Sequence, residues 1–160
     1  MGSKLESVRE RVREANETHR EAMEMGQRDM EDISNVKSIL DSMPSDVDDD
    51  IVEAIHDVHD SSISEATSDM ESSVRGTLDS GSDIANEASD EAQEQQGLSE
   101  QAASQFEQIS GSSEFGGSAE VAADGAHESA ESFGEASHEA MESIDEAEAE
   151  FADQLAEIQS

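Results

Sequence analysis

Apolar side chains recur along this chain at alternating intervals of three and four. The first stripe runs Leu5, Val8, Val12, Ala15, His19, Ala22, Gly26, Ile33, Val36, Leu40 and Met43, broken at Asp29, where Met30 stands beside the gap. Roughly five heptads of this kind predict a long helix over about 4–43 with a coiled-coil seam. Acid–base pairs at helical spacing support it, namely Glu6/Arg9, Glu17/Arg20, Arg20/Glu24, Glu24/Arg28 and Arg28/Asp32. Each adds on the order of a few tenths of a kcal/mol. Pro44 ends the helix, because the residue before a proline avoids helical geometry. Ser45 or Asp46 can cap the next helix, with Asp48, Asp49 and Asp50 near its positive end.

A second stripe follows through Val47, Ile51, Ile55, Val58, Ile63, Ala66, Met70, Val74 and Leu78. The run Asp79-Ser80-Gly81-Ser82-Asp83 holds residues that end one helix and start another, which gives helices over 46–79 and 83–110. The stripe also continues through Gly81 to Ile84, Ala85, Ala88, Ala92, Leu98, Ala102, Phe106 and Ile109, which gives one helix over 46–110. Residues 111–118 are rich in Gly and Ser and predict a loop. A last helix over 118–158 carries Ala122, Ala126, Phe133, Ala136, Ala140, Ile144, Ala147, Phe151, Leu155 and Ile158. No period-two segment of useful length occurs. The pattern predicts a single all-α domain, an elongated antiparallel bundle of three or four long helices.

Composition changes the picture. The 160 residues include 42 acidic and 8 basic side chains, for a net charge of −34, with one Pro and no Cys, Trp or Tyr. Low hydrophobicity with high net charge is a signature of disorder, but the periodicity and the scarcity of proline oppose that reading. Extreme acidity, little Lys, no Cys and plentiful Ala, Ser and Gly resemble the cytoplasmic proteins of extreme halophiles. The resemblance is to a kind of proteome and not to a family, and it implies a cytoplasmic protein in a high-salt solvent. There the Debye length falls to about 3 Å, so carboxylate repulsion is screened, and salt strengthens weak apolar burial. The absence of cysteine excludes disulfides, thiolate zinc sites and thiol nucleophiles. So negative a chain repels phosphate backbones, and no nucleic-acid partner is expected. No apolar run approaches the ~18 residues of a membrane span, and the N-terminus lacks the apolar core of a signal peptide.

The charge is unevenly shared. Residues 1–40 hold seven basic and nine acidic groups, whereas residues 41–160 hold one basic group, Arg75, and 33 acidic ones. The first helix is thus the only nearly neutral one. It can lie against the acidic helices of its own chain and relieve their repulsion, or form a seam for self-association. Leu5, Val8, Val12, Ala15, Ile33, Val36 and Leu40 would carry such a seam.

Candidate chemistry is sparse. Glu53 with His56, and Glu135 with His138, read E-x-x-H, the spacing that ferritin-like di-iron bundles place on two of their helices. His59 and His127 extend the set. In so acidic a chain a carboxylate three residues before a histidine arises by chance, and ordinary surface histidines are the competing reading. In a four-helix register the two E-x-x-H motifs would lie near opposite ends. Asp46, Asp48, Asp49 and Asp50 lack the glycine and distal Glu of an EF-hand loop. Met23, Met25, Met30 and Met141 suit gap-filling core as well as adaptable binding surfaces. No serine sits in a G-x-S-x-G elbow, and no glycine-rich phosphate loop with Lys is present.

These observations point away from an enzyme and from a cofactor. They lead us to expect a structural or adaptor module that works through helix–helix contact with a protein partner or with itself. Two rivals come from other classes. One is an amphipathic coat on a hydrophobic granule, in the manner of the phasins, whose helices open onto the particle. The other is a ferritin-like carboxylate–histidine metal bundle. Export by a non-classical route, as for small helical effectors, lacks the tryptophan-x-glycine hairpin motif that would support it.

Overall fold

Over residues 2–44, 46–111 and 114–159, which the computed structural model describes, the chain forms three helices and no strand. They are α1 (Gly2–Asp41), α2 (Asp49–Ser110) and α3 (Gly116–Gln159). Ser45 and the side chain of Leu40 lie outside the described residues.

The breaks have local causes. α1 stops three residues before Pro44, and Ser42 closes its last turn, donating from both N and Oγ to the Ile39 carbonyl at 3.3 and 2.9 Å. Asp48 begins α2. Its Oδ1 accepts from Asp50 N at 3.4 Å, and its carbonyl accepts from the N–H groups of Ile51 and Val52 at 3.0 Å. The cap is therefore Asp48, while Asp46 stands in the preceding turn. The loop before α3 is shorter than 111–118, because Gly116 and Gly117 already belong to the helix. A Cβ on Gly116 would stand 2.8 Å from the Ser110 carbonyl oxygen, so this close turn needs glycine.

α2 is one helix through Gly81, and the break at 79–83, with the four-helix register built on it, does not occur. Gly81 is buried between Leu78 and Ala85 at spacings of three and four, which keeps it on the core face. A mid-helix glycine costs about 1 kcal/mol relative to Ala. Burying Leu78 and its neighbours outweighs that, at about 0.8 kcal/mol per CH₂.

The chain divides into two compact units, each built from a segment of all three helices. Unit 1 comprises Met1–Glu17 and Gly81–Asp145, and unit 2 comprises Thr18–Ser80 and Glu146–Ser160. In unit 1 the core is Val8, Val12, Ala15, Ala85, Ala88, Ala92, Phe133, Ala136 and Ala140, with Leu5, Ile84 and Ile144 at its edge. Phe133 is its one bulky, fully buried ring. Hydroxyls bridge α2 and α3 beside it. Ser89 and Ser137 are 2.8 Å apart, Gln93 donates to both at 3.3 Å, and Ser99 meets Ser129 at 3.2 Å. These pairings show α2 and α3 antiparallel within the unit.

Unit 2 has larger side chains. Met23, Met30, Ile33, Met70, Val74, Leu78, Phe151 and Ile158 are buried together with Ala22 and Ala147. α3 is clasped from both neighbours. Arg75 Nη1 on α2 donates to both carboxylate oxygens of Glu148, at 2.9 and 3.0 Å, and its guanidinium lies 4.7 Å from the centre of the Phe151 ring. Lys37 Nζ on α1 donates to the Ile158 carbonyl at 2.9 Å, satisfying a C-terminal helix carbonyl and complementing the negative end of the helix dipole. Gln154 Nε2 donates to the Met23 carbonyl at 3.1 Å, and its Oε1 occupies the place where a Cβ on Gly26 would stand.

Candidate functional site

Most of the proposed seam is engaged within the chain. Val8, Val12 and Ala15 are buried in the unit 1 core with Leu5 half-buried beside them, and Ile33 is buried in unit 2. They pack on the chain's own helices. Val36 is different, being 36% exposed.

Val36 belongs to a distinct apolar surface in unit 2. The end of α1 and the start of α2 leave Ile39 63%, Ile51 53%, Ile55 38% and Val58 68% exposed. Between them runs a groove of about 510 Å³, lined by Ile39, Ile51, Ala54, Ile55, Val58 and His59, with Asp50 as its one carboxylate. A second groove of about 370 Å³ between the same helices includes Ile33, Val36, Ile63 and Met70 with Asp29, Asp32 and Asp69. Ile51, Ile55 and Val58 keep the helical stripe going beyond the level at which Lys37 meets the Ile158 carbonyl of α3.

His59 ties the two helices at this level. Its Nε2 donates to the Val36 carbonyl at 2.9 Å. Its Nδ1 is buried with no hydrogen-bond partner, the Asp60 carboxylate being 3.6 Å away.

The other metal candidates do not converge. Among the described residues no three His, Asp or Glu side chains are grouped so as to hold a metal ion. Glu53 and His56 are exposed in unit 2, and Glu135 is exposed in unit 1. His127 Nε2 meets Glu107 Oε1 at 2.7 Å on the surface, and His138 lies 3.9 Å from Glu142 on its own helix. Helical spacing alone put Glu and His on one face in each motif. Convergence needs a second helix to bring its ligands to the same level, and in unit 1 the partner of His127 is a single carboxylate.

Two residues have roles that the sequence does not spell out. Arg75 was visible as the lone cation of residues 41–160, and that rarity was the available signal for its clasp on Glu148 and Phe151. His19 was visible as a polar residue on an apolar stripe. It is buried in unit 2, and burial lowers its pKa from 6.5, while a backbone hydrogen bond at Leu78 and the charge of Glu148 push the other way.

No helix among the described residues is long and apolar enough to cross a membrane. In comparisons with known proteins, no family model matches the chain, no curated protein matches its sequence and no solved structure matches its fold.

Proposed function

We propose that this chain is a non-enzymatic, salt-adapted acidic helical module of a halophilic cytoplasm that works by helix–helix contact with other proteins, as an adaptor or assembly element. The observation that carries this reading is the apolar surface of Ile39, Ile51, Ile55 and Val58 on two adjoining helices. Scattered apolar residues are normal on a surface, but a contiguous patch rimmed by polar groups marks an interaction site. The groove supports the same reading, since it is an open trough between two helices lined almost wholly by apolar side chains. The near-uniform acidity fits a protein whose carboxylates are screened by salt.

Photo-cross-linking tests the reading in the cell, with a photoreactive amino acid at position 58, in the groove, or at position 87, exposed on α2 in unit 1. Discrete protein adducts from position 58 and none from position 87 are expected. Equal adducts from both, or none from position 58, would sink the proposal. Purified chain should gain helix by circular dichroism as KCl rises towards about 3 M, where screening is nearly complete.

A further inference from the structure

Resting on that reading, we infer that the α1–α2 hairpin of unit 2 receives a third helix from a partner protein, and that this helix is amphipathic and basic. Its apolar stripe fills the groove bounded by Ile39, Ile51, Ile55 and Val58, and its Lys and Arg side chains meet the carboxylates around it.

Unit 2 itself shows how it holds a third helix. α3 supplies an apolar stripe of Ala147, Phe151, Leu155 and Ile158 to the trough between α1 and α2. α3 is acidic, and the cations come from the other two helices, Arg75 to Glu148 and Lys37 to the Ile158 carbonyl. Past Lys37 the same two helices continue with the stripe but without the cations. From residue 38 to residue 74 there is no Lys or Arg, while Asp41, Asp46, Asp48, Asp49, Asp50, Glu53, Asp57 and Asp60 are exposed. Asp50 lines the groove, and His59 lines it as well with an Nδ1 that has no hydrogen-bond partner. A helix seated here must therefore bring the positive charge that Arg75 and Lys37 bring to α3. This is the helix-in-groove mode of recognition, with apolar anchors at i, i+3, i+4 and i+7, and charge complementarity selects its sign.

A second copy of the chain does not meet that need. Its large exposed apolar side chains outside the two grooves, Leu98, Phe106, Ile109, Phe115, Val121 and Met141, lie within residues 76–160, which contain no Lys or Arg. Docking them in the groove would bury carboxylates against carboxylates, and salt screens such buried pairs much less than exposed ones.

The test uses the full chain at the lowest KCl concentration at which it is fully helical, with two designed helical peptides as probes. Both carry the same apolar stripe, one flanked by Lys and Arg and the other by Glu. The basic peptide should bind and the acidic one should not. Val58→Asp should weaken the basic peptide about tenfold or more, although it adds a negative charge that would strengthen purely electrostatic attachment. Val58 is 68% exposed, so this change leaves the core untouched, and Val121→Asp, at a 72% exposed site in unit 1, should change nothing. Equal binding of both peptides, or undiminished binding to Val58→Asp, would overturn the inference. So would a wild-type dimer by light-scattering mass that Val58→Asp converts to monomer, since the occupant is then a second copy. Cross-links from position 58 without binding of the basic peptide would defeat the inference and leave the helical-module reading standing, whereas the absence of both defeats the two together.

Discussion

The two units draw on the same three helices and nearly the same charge, yet they are held together differently. Unit 1 has four basic and 20 acidic groups and unit 2 has four and 22, so the net charges are −16 and −18. Unit 1 packs alanine around Phe133 and joins α2 to α3 by serine hydroxyls. Unit 2 packs Met, Ile, Val and Leu around Phe151 and reaches α3 with Arg75 and Lys37. In a chain with few cations, the placement of two of them matters more than the total. Arg75 is half-buried, with one guanidinium nitrogen on both Glu148 oxygens and the Phe151 ring beside it, whereas a surface pair such as Arg13 with Glu10 contributes little.

The largest effects should come from the two rings. Phe133→Ala and Phe151→Ala each should cost about 3–5 kcal/mol. Hydrogen exchange followed by mass spectrometry should show faster exchange in the segments of unit 1 for the first and of unit 2 for the second. A uniform rise along the chain in both variants would erase the distinction between the units.

Arg75→Met should follow at about 1–2 kcal/mol, the range for a charged hydrogen-bonded pair with a ring contact. Arg13→Met should stay within about 0.5 kcal/mol. Thermal unfolding of both variants at matched KCl checks the ranking, and equal losses would show that Arg75 is one more surface charge.

Two glycines should change sign. Gly26→Ala displaces the Gln154 amide and its bond to Met23, at about 1–3 kcal/mol for overpacking. Gly76→Ala, on an exposed stretch of α2 with nothing within 4 Å of the added Cβ, should stabilise by about 0.5–1 kcal/mol through helix propensity. Chemical denaturation reads both.

The smallest effect concerns His19. Its pKa in the folded chain lies below the ordinary 6.5, so in acid the unfolded chain binds a proton that the folded chain resists. The stability of wild type relative to His19→Leu should therefore hold above pH 6.5 and fall as the pH drops below it. Comparing the two proteins cancels the shared carboxylates. A constant difference from pH 7.5 to 5 would mean that His19 is not shielded from water.

Much of the site was legible only in part. The spacing of Ile51, Ile55 and Val58 gives a helical stripe, but periodicity marks a face that can be buried and does not say whether anything buries it. Val8 and Val12 have the same spacing as Ile51 and Ile55, and they differ because a third helix passes over the first pair. Leu40, the last seam position, lies outside the described side chains. Gly81 shows the limit of local signals, since its flanking residues suit a turn while its place in the stripe suits a continuous helix.

Periodicity, Pro44 and the Gly/Ser run near residue 111 determined by themselves that the chain is all-helical and where two of its turns fall, because those are properties of neighbours along the backbone. The charge was equally plain from counting. What only the tertiary structure decided is which side chains share a level on different helices: Arg75 with Glu148 and Phe151, Gln154 with Gly26, His59 with Val36. Those meetings depend on the register between helices, which is set by packing across the whole unit. The same register leaves Ile39 and Val58 uncovered.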